Sequence, residues 1–190
     1  MIETKRLVLR PFSEEDADLI YRIYSDREIL HYTPYDRMNR EQAKEHLQSV
    51  IRDWECSPRL SYEMAAVLKE SGEAIGRAHI LIDEETGDGM IGWFLLKAYW
   101  GRHYASEMTA GLIDYSFNTL HISRVYAVCN PENAASRKVL ENSGMRLVSV
   151  TEKKCRYLKD GIESWHDEAE YELLNGPPAV AATCDTAPRG

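Results

Sequence analysis

Two stretches of this 190-residue chain put short polar residues and a glycine where an extended anionic ligand could be held. The first is Lys97-Ala98-Tyr99-Trp100-Gly101-Arg102-His103-Tyr104-Ala105-Ser106, which joins the apolar run Met90 to Leu96 to a segment of helical periodicity. A glycine turn entering a helix aims several backbone N–H groups at one point, at the positive end of the helix dipole. A pyrophosphate can be held there with few cationic side chains. An ordinary turn before a helix has the same pattern. The second stretch runs from Asn130-Pro131-Glu132-Asn133-Ala134-Ala135-Ser136 to Gly144-Met145. Asn133 and Ser136, three apart, share a helix face and suit hydrogen bonding to a ligand lying beside it. A solvated face capped at Asn130 would account for them equally. Cys129 lies close by, but a cysteine ending a strand suits the core better than nucleophilic attack.

Composition narrows the chemistry. A formal charge of −8 argues against phosphate neutralisation along a nucleic acid, which needs a basic stripe. It is compatible with a cationic substrate and equally with plain solubility. Cys56, Cys129, Cys155 and Cys184 are too far apart in sequence for paired metal ligation, so no metal is expected, and free thiols in a reducing cytosol fit them. The amino terminus lacks the apolar core of a signal peptide, and no apolar run is long enough to cross a bilayer. The expectation is a cytoplasmic protein, monomer or homodimer, with no membrane or nucleic-acid partner.

The elements that must position these stretches follow from periodicity. Thr4 to Arg10 has strand character, limited by Pro11. Ser13 with Asp16, and Asn39 with Gln42, open two helices as capping pairs. Ser61–Leu68 and Ala74–Ile82 form a hairpin, and Met90–Leu96 is apolar enough to be a central strand buried on both faces. A helix from Tyr104 to Phe117, a strand Ser123–Cys129 and a helix capped at Asn130 with Pro131 in its first position come next. Leu147–Tyr157 and Ser164–Leu174 pair through Lys159-Asp160-Gly161. Residues 175–190, rich in proline, alanine and glycine without periodicity, are expected to be a disordered tail behind one domain over 1–174.

Taken in order, these segments resemble the GNAT superfamily of acyl-CoA N-acyltransferases, and within it the branch of ribosomal-protein N-terminal acetyltransferases. Thr4 to Pro11 is similar to that branch's opening strand, Trp100 to Ala105 to its pyrophosphate loop, Asn130 to Met145 to its Asn-rich helix, and Trp165-His166-Asp167 to the approach to its last strand. The resemblance implies an α/β (α+β) fold, a mixed, mainly antiparallel sheet flanked by helices with splayed central parallel strands. It implies acetyl-CoA as cosubstrate, gripped by the backbone near Phe94 and Leu96, by the loop residues Gly101, Arg102, His103, Tyr104, Ala105 and Ser106, and by Asn133. Ser136 becomes the acid for the leaving thiolate, because the family's tyrosine position holds Leu140.

Other departures set the open questions. His103 stands where the loop usually has glycine, Trp100 where it usually has Gln or Arg, and Met90 where a glutamate base is frequent. Asp88, His79, Glu107 or a water chain remain as base candidates. An α-amino group, with an unperturbed pKa of about 7.7–8.0, needs a base less than a side-chain ammonium at about 10.4. The expected acceptor is therefore a protein or peptide amino terminus. A small amine such as a polyamine, amino-acid analogue or antibiotic is the alternative, and an inactive CoA-binding module is a third reading. Tyr21, Tyr24, Tyr32, Tyr35 and Trp54 either shape the acceptor pocket or form core.

Overall fold

A computed structural model describes residues 1–176. Eight strands form one sheet: β1 (Ile2–Glu3), β2 (Leu7–Pro11), β3 (Ser61–Leu68), β4 (Ala74–Ile82), β5 (Gly89–Leu95), β6 (Arg124–Cys129), β7 (Arg146–Lys159) and β8 (Ile162–Leu174). Their spatial order is β1-β2-β3-β4-β5-β6-β8-β7. Every adjacent pair is antiparallel except β5 and β6, which are parallel and paired only at Gly89 with Val125 and Met90 with Tyr126. Beyond Met90 the two strands separate.

Four helices cover the faces: α1 (Ala17–Ser25), α2 (Arg40–Asp53), α3 (Tyr104–Asn118) and α4 (Ala134–Asn142). Alternation along the strands divides the core in two. Met64, Ala66, Ala78, Ile80, Ile91 and Leu95 turn toward Met108 and Leu112 of α3 and Leu140 of α4. Ala65 and partly buried Phe94 turn the other way, toward Ile20, Ile23 and Tyr24 of α1 and Leu47 and Val50 of α2.

Local chemistry accounts for most boundaries. The Ser13 N–H donates to the Asp16 carboxylate at 2.8 Å ahead of α1, and Asn39 and Gln42 exchange two bonds of 2.9 Å ahead of α2. The β7–β8 turn is Asp160-Gly161, with φ of 50° and 78°, the double positive that a tight hairpin turn demands. Two expectations need correction. The short strand β1 precedes the opening strand, and Thr4–Arg6 is the bend between them. α4 begins at Ala134, not Pro131, because its cap is Asn133, whose Oδ1 accepts from the Ser136 N–H at 3.1 Å. Asn130 instead closes a turn by accepting from the Glu132 N–H at 2.8 Å. The expected tail lies, from residue 177 on, outside the described residues. Asn175 is still tied by its N–H to the Ser123 carbonyl.

The joined end of β5 and β6 is held by charge. Arg124 donates to Asp88 at 2.8 Å, to Glu170 at 2.6 Å and to Glu172 at 2.6 Å, linking β6 to β8 and to the turn before β5. Arg146 of β7 reaches Glu172 at 2.5 Å. One guanidinium thus offsets three carboxylates that would otherwise repel. Replacing it strands them, though partial exposure screens the penalty. Arg124→Met should cost about 2 kcal/mol, a fall in melting temperature of about 4–8 °C for a chain of this size. A calorimetric scan in which the melting temperature moves by less than a degree would show the network to be ornamental.

Candidate active site

The cleft left between β5 and β6 is lined by backbone. Leu96 donates its N–H to the Ile75 carbonyl at 2.9 Å, and the Asp88 carbonyl accepts from Asp83 at 2.9 Å. The β4–β5 register runs unbroken from Gly76–Leu95 to Ile82–Gly89. Even-numbered β5 residues therefore spend their N–H and C=O groups on β4, and odd-numbered ones face β6. Past the last paired residue, the open groups are those of Trp93 and Leu95. They are the immediate neighbours of Phe94 and Leu96, whose own backbone groups are turned to β4. Periodicity marked the strand, but only the ladder shows which edge each amide faces. The Phe94 side chain lies under α1 and α2 instead, 5.9 Å centroid to centroid from Tyr24.

The loop before α3 is built to leave donors free. Gly101 has φ 72° and His103, the residue capping α3, has φ 63°. Two left-handed residues this close turn the chain so that consecutive N–H groups point inward, and the first turn of any helix leaves its N–H groups without helical partners. Glycine at 103 would adopt this φ freely, whereas histidine does so against its Cβ. Arg102 and His103 have exposed side chains; Tyr104, Ala105 and Ser106 are partly buried. Trp100 has a role that sequence did not suggest. Its indole N–H donates to the Leu95 carbonyl at 2.9 Å, satisfying an acceptor that β6 abandons when the strands diverge.

On α4, Ser136 is partly buried and its hydroxyl has no protein partner among the described residues, whereas Asn133 spends its side-chain oxygen on the cap. The helix is pinned to β8 where the Tyr171 hydroxyl donates to Glu141 at 3.1 Å and accepts from Arg137 at 3.2 Å. Burial pushes the Cys129 thiol up to about 11, so it is protonated at neutral pH and no nucleophile.

The base candidates separate. Asp88 is committed to Arg124. Glu107 accepts from Thr4 Oγ1 at 2.6 Å and from Arg6 Nε at 2.7 Å, and those bonds hold its carboxyl below the usual range although burial opposes them. Met90 ends the β5–β6 pairing and carries no proton chemistry. His79 alone of the three packs on β5 beyond its last pairing with β6: a Cβ on Gly92 would strike its ring at 2.5 Å. Beside it are two groups that sequence alone did not flag, Glu63 and Arg77, with an Arg77 Nη2–Glu63 Oε2 ion pair of 2.5 Å. Burial raises the Glu63 carboxyl to about 7. A charged residue opposite an apolar one in a hairpin was the available signal.

On the α1–α2 side the segment between the helices is clamped by the β7–β8 tip. Lys159 donates to the Leu30 and His31 carbonyls at 2.7 and 3.0 Å, Tyr157 to the Tyr32 carbonyl at 2.9 Å, and Asp160 pairs with Arg27 and Arg37. Next to it opens a cleft of about 600 Å³ lined by Arg22, Asp26, Arg27, Arg37, Leu96 and Lys97 among others. The tyrosines do not form one pocket. Tyr24 is core, Trp54 packs on Tyr62 at 5.8 Å, and Tyr21 lies under Arg40. Among the described residues no acidic, histidine or cysteine group is arranged to hold a metal, and no helix is long and apolar enough to cross a membrane.

This architecture has known counterparts. The model of the acetyltransferase (GNAT) domain matches residues 6–146. A curated relative, the uncharacterized N-acetyltransferase p20 of Bacillus licheniformis, is 36% identical over 143 residues, 73% of this chain and 78% of that protein. The crystal structure of a GNAT-family acetyltransferase from Bacillus anthracis superposes with a TM-score of 0.80 at 25% identity, over 91% of this chain and 97% of that one. Two structures share the fold at 18% identity. One is RimL, a ribosomal L7/L12 alpha-N-protein acetyltransferase in complex with coenzyme A (TM-score 0.77, covering 90% and 95%). The other is the spermidine N-acetyltransferase of Vibrio cholerae with CoA and spermine (TM-score 0.74, covering 89% and 95%).

Trp100→Phe keeps the ring and removes the donor to Leu95. Loss of one such bond should lower stability by about 1 kcal/mol. Urea unfolding reads this as a shifted midpoint at constant slope. An unchanged midpoint would mean that the Leu95 carbonyl finds another donor at no cost.

Proposed function

Because the chain belongs to the acetyltransferase (GNAT) family, we propose that it moves the acetyl group of acetyl-CoA onto the amino terminus of a protein or peptide by direct attack. In this reading the pantetheine amides complete the β5 ladder at Trp93 and Leu95, where β6 has left the edge open. The pyrophosphate meets the N–H groups of Gly101 to Ser106, with Arg102 and His103 at the solvent side of the loop. Asn133 contributes by starting α4 and retains its side-chain N–H groups for the ligand. As the C–N bond forms, the thioester oxygen gains charge and needs a preorganised donor, which an unpaired β5 amide supplies. Ser136, whose hydroxyl is free of protein partners, gives its proton to the departing thiolate.

The lining of the acceptor-side cleft carries the choice of acceptor. The net charge of −8 would suit a polyamine, but that charge is not gathered here. Arg22, Arg27, Arg37 and Lys97 face the cleft, where Asp26 opposes them, Asp160 pairs with Arg27 and Arg37, and Glu28 pairs with Lys97, so four cations stand against three carboxylates. A polycation would have to approach several guanidinium groups. A peptide brings one amine and a string of backbone carbonyls that those groups can receive. RimL, by its name, acts on a protein amino terminus, and the Vibrio enzyme on spermidine; the cationic lining favours the first chemistry.

Calorimetry should show acetyl-CoA binding, with a rise in melting temperature as ligand concentration passes Kd. Thiol release should be faster with short peptides bearing a free amino terminus than with spermidine. Ser136→Ala should lower kcat by about tenfold or more while leaving acetyl-CoA affinity near wild type, since the proton is given in the transition state. Absence of acetyl-CoA binding at millimolar concentration overturns the cofactor assignment. Faster turnover of spermidine overturns the acceptor, and a wild-type kcat in the variant overturns the role of Ser136.

A further inference from the structure

Buried polar groups almost always have partners, because stripping water from them without replacement is costly. Among the described residues the exceptions fall in one place. Tyr24 Oη, His46 Nε2, Arg77 Nε and Nη1, and His79 Nδ1 are buried without a protein partner, and Glu63 Oε2 has only the out-of-line ion pair with Arg77. These atoms lie on the face of the sheet beneath α1 and α2. Tyr24 packs edge-on to His46 at 5.1 Å, and the Arg77 guanidinium is 5.6 Å from the Tyr24 ring. Arg77 has 3% of its surface exposed, so its charge is held almost dry. A dry core here would be better served by leucine or methionine.

The register gives the patch a direction. Glu63 of β3 stands opposite His79 of β4, and His79 stands opposite Gly92 of β5. Gly92 is two residues beyond Met90, the last residue of β5 joined to β6. The line Gly92–His79–Glu63 thus starts at the mouth of the cleft and runs into the sheet. Gly92 must lack a side chain, for the imidazole fills that space. Glu63 is two strand spacings from β5, about 10 Å, too far to touch a ligand in the cleft.

We propose that His79 and Glu63 form a proton relay that removes the proton of the attacking amine, His79 receiving it at the cleft and Glu63 holding it at the end. The proposal deepens the acetyltransferase reading and rests on it. As nitrogen bonds to the thioester carbon and the C–S bond breaks, one N–H proton passes to the imidazole. The imidazole's other ring proton passes to the Glu63 carboxylate, directly or through a water bonded to the unpartnered atoms. The thiolate takes its proton from Ser136, whose hydroxyl is restored from solvent as Glu63 releases its proton to solvent, so that overall the amine proton ends on the thiol. Burial and the neighbouring Arg77 hold the imidazole down to about 3, so it starts neutral and transmits the proton without storing it. Glu63 stores it. Burial, then the charge of Asp53 on α2, raises that carboxyl to about 7; Arg77 on β4 is the cation that faces it. Tyr35, from the segment between α1 and α2, also faces Glu63, and its own hydroxyl is raised mainly by burial. His46 of α2 and Tyr24 of α1 complete the surroundings. Glu63 thus fills the gap left by Met90 from the same half of the sheet, two strands further in, with a base matched to an α-amino group.

The test pairs kinetics with direct titration. In wild type, kcat/KM should fall as pH drops through about 7, where Glu63 becomes protonated, and this limb should keep its midpoint when the acceptor is exchanged for an amine of different pKa. Glu63→Gln should lower kcat by about 100-fold, abolish that limb and leave KM for acetyl-CoA unchanged; Glu63→Asp should restore part of the rate together with the limb. NMR of the CoA-bound chain labelled at glutamate Cδ should show one carboxyl titrating near 7, missing in Glu63→Gln. An active wild type whose Glu63→Gln variant keeps its rate and limb overturns the relay alone, as does a Glu63 signal titrating in the ordinary carboxylate range, whatever the turnover. A wild type that turns over neither a short peptide with a free amino terminus nor spermidine overturns the acetyl-transfer reading and the relay with it.

Discussion

Two parallel register pairs between β5 and β6 govern the molecule. Were the strands joined over their full length, the sheet would be closed and the Trp93 and Leu95 amides spent. With no join at all, the sheet would be two pieces. The compromise needs reinforcement at one end and relief at the other. Arg124 reinforces, gathering Asp88 from the turn before β5 and Glu170 and Glu172 from β8. Trp100 relieves, covering the Leu95 carbonyl with an indole N–H in place of a neighbouring strand. Helix α3 follows β5 through the loop Lys97–His103, and α4 follows β6 through the turn at Asn130.

The two faces of the sheet do different work. The face under α3 and α4 is apolar almost throughout, a conventional core of Ile, Leu and Met. The face under α1 and α2 carries Glu63, Arg77 and His79 among aromatic rings. Charge so buried weakens the fold relative to an apolar packing of the same shape. The faces of Tyr24 and Phe94, 5.6 and 5.7 Å from the Arg77 guanidinium, soften the penalty through their quadrupoles.

Much of this was legible in sequence. The hairpin Ser61–Leu68 with Ala74–Ile82 and the helix starting at Tyr104 were set by alternation, turn residues and helical period, which are local signals. The cap of α4 was missed because Asn130 and Asn133 are equally good cap residues. Proline after Asn130 pointed to the wrong one, and only the surrounding chain decides. The register of β5 was missed because hydrophobicity is blind to which edge an amide faces. Glu63 and Arg77 escaped because each looks like an ordinary outward-facing charge in an alternating strand. They are buried because α1 and α2 close over that face, a tertiary fact with no local signature.

The order of the strands has a consequence for how the chain acquires its form. β8, the last of the described strands, sits between β6 and β7, so the inner edge of β6 lies bare until residues 162–174 have been synthesised. The segment between α1 and α2 waits as well, because Lys159 and Tyr157 hold it from more than a hundred residues away. Contacts so distant along the chain form slowly, and an exposed strand edge invites the wrong partner meanwhile. The first half of the protein therefore leaves synthesis with one wall of its cleft unbuilt, and the closing hairpin finishes the sheet and that wall in a single docking event.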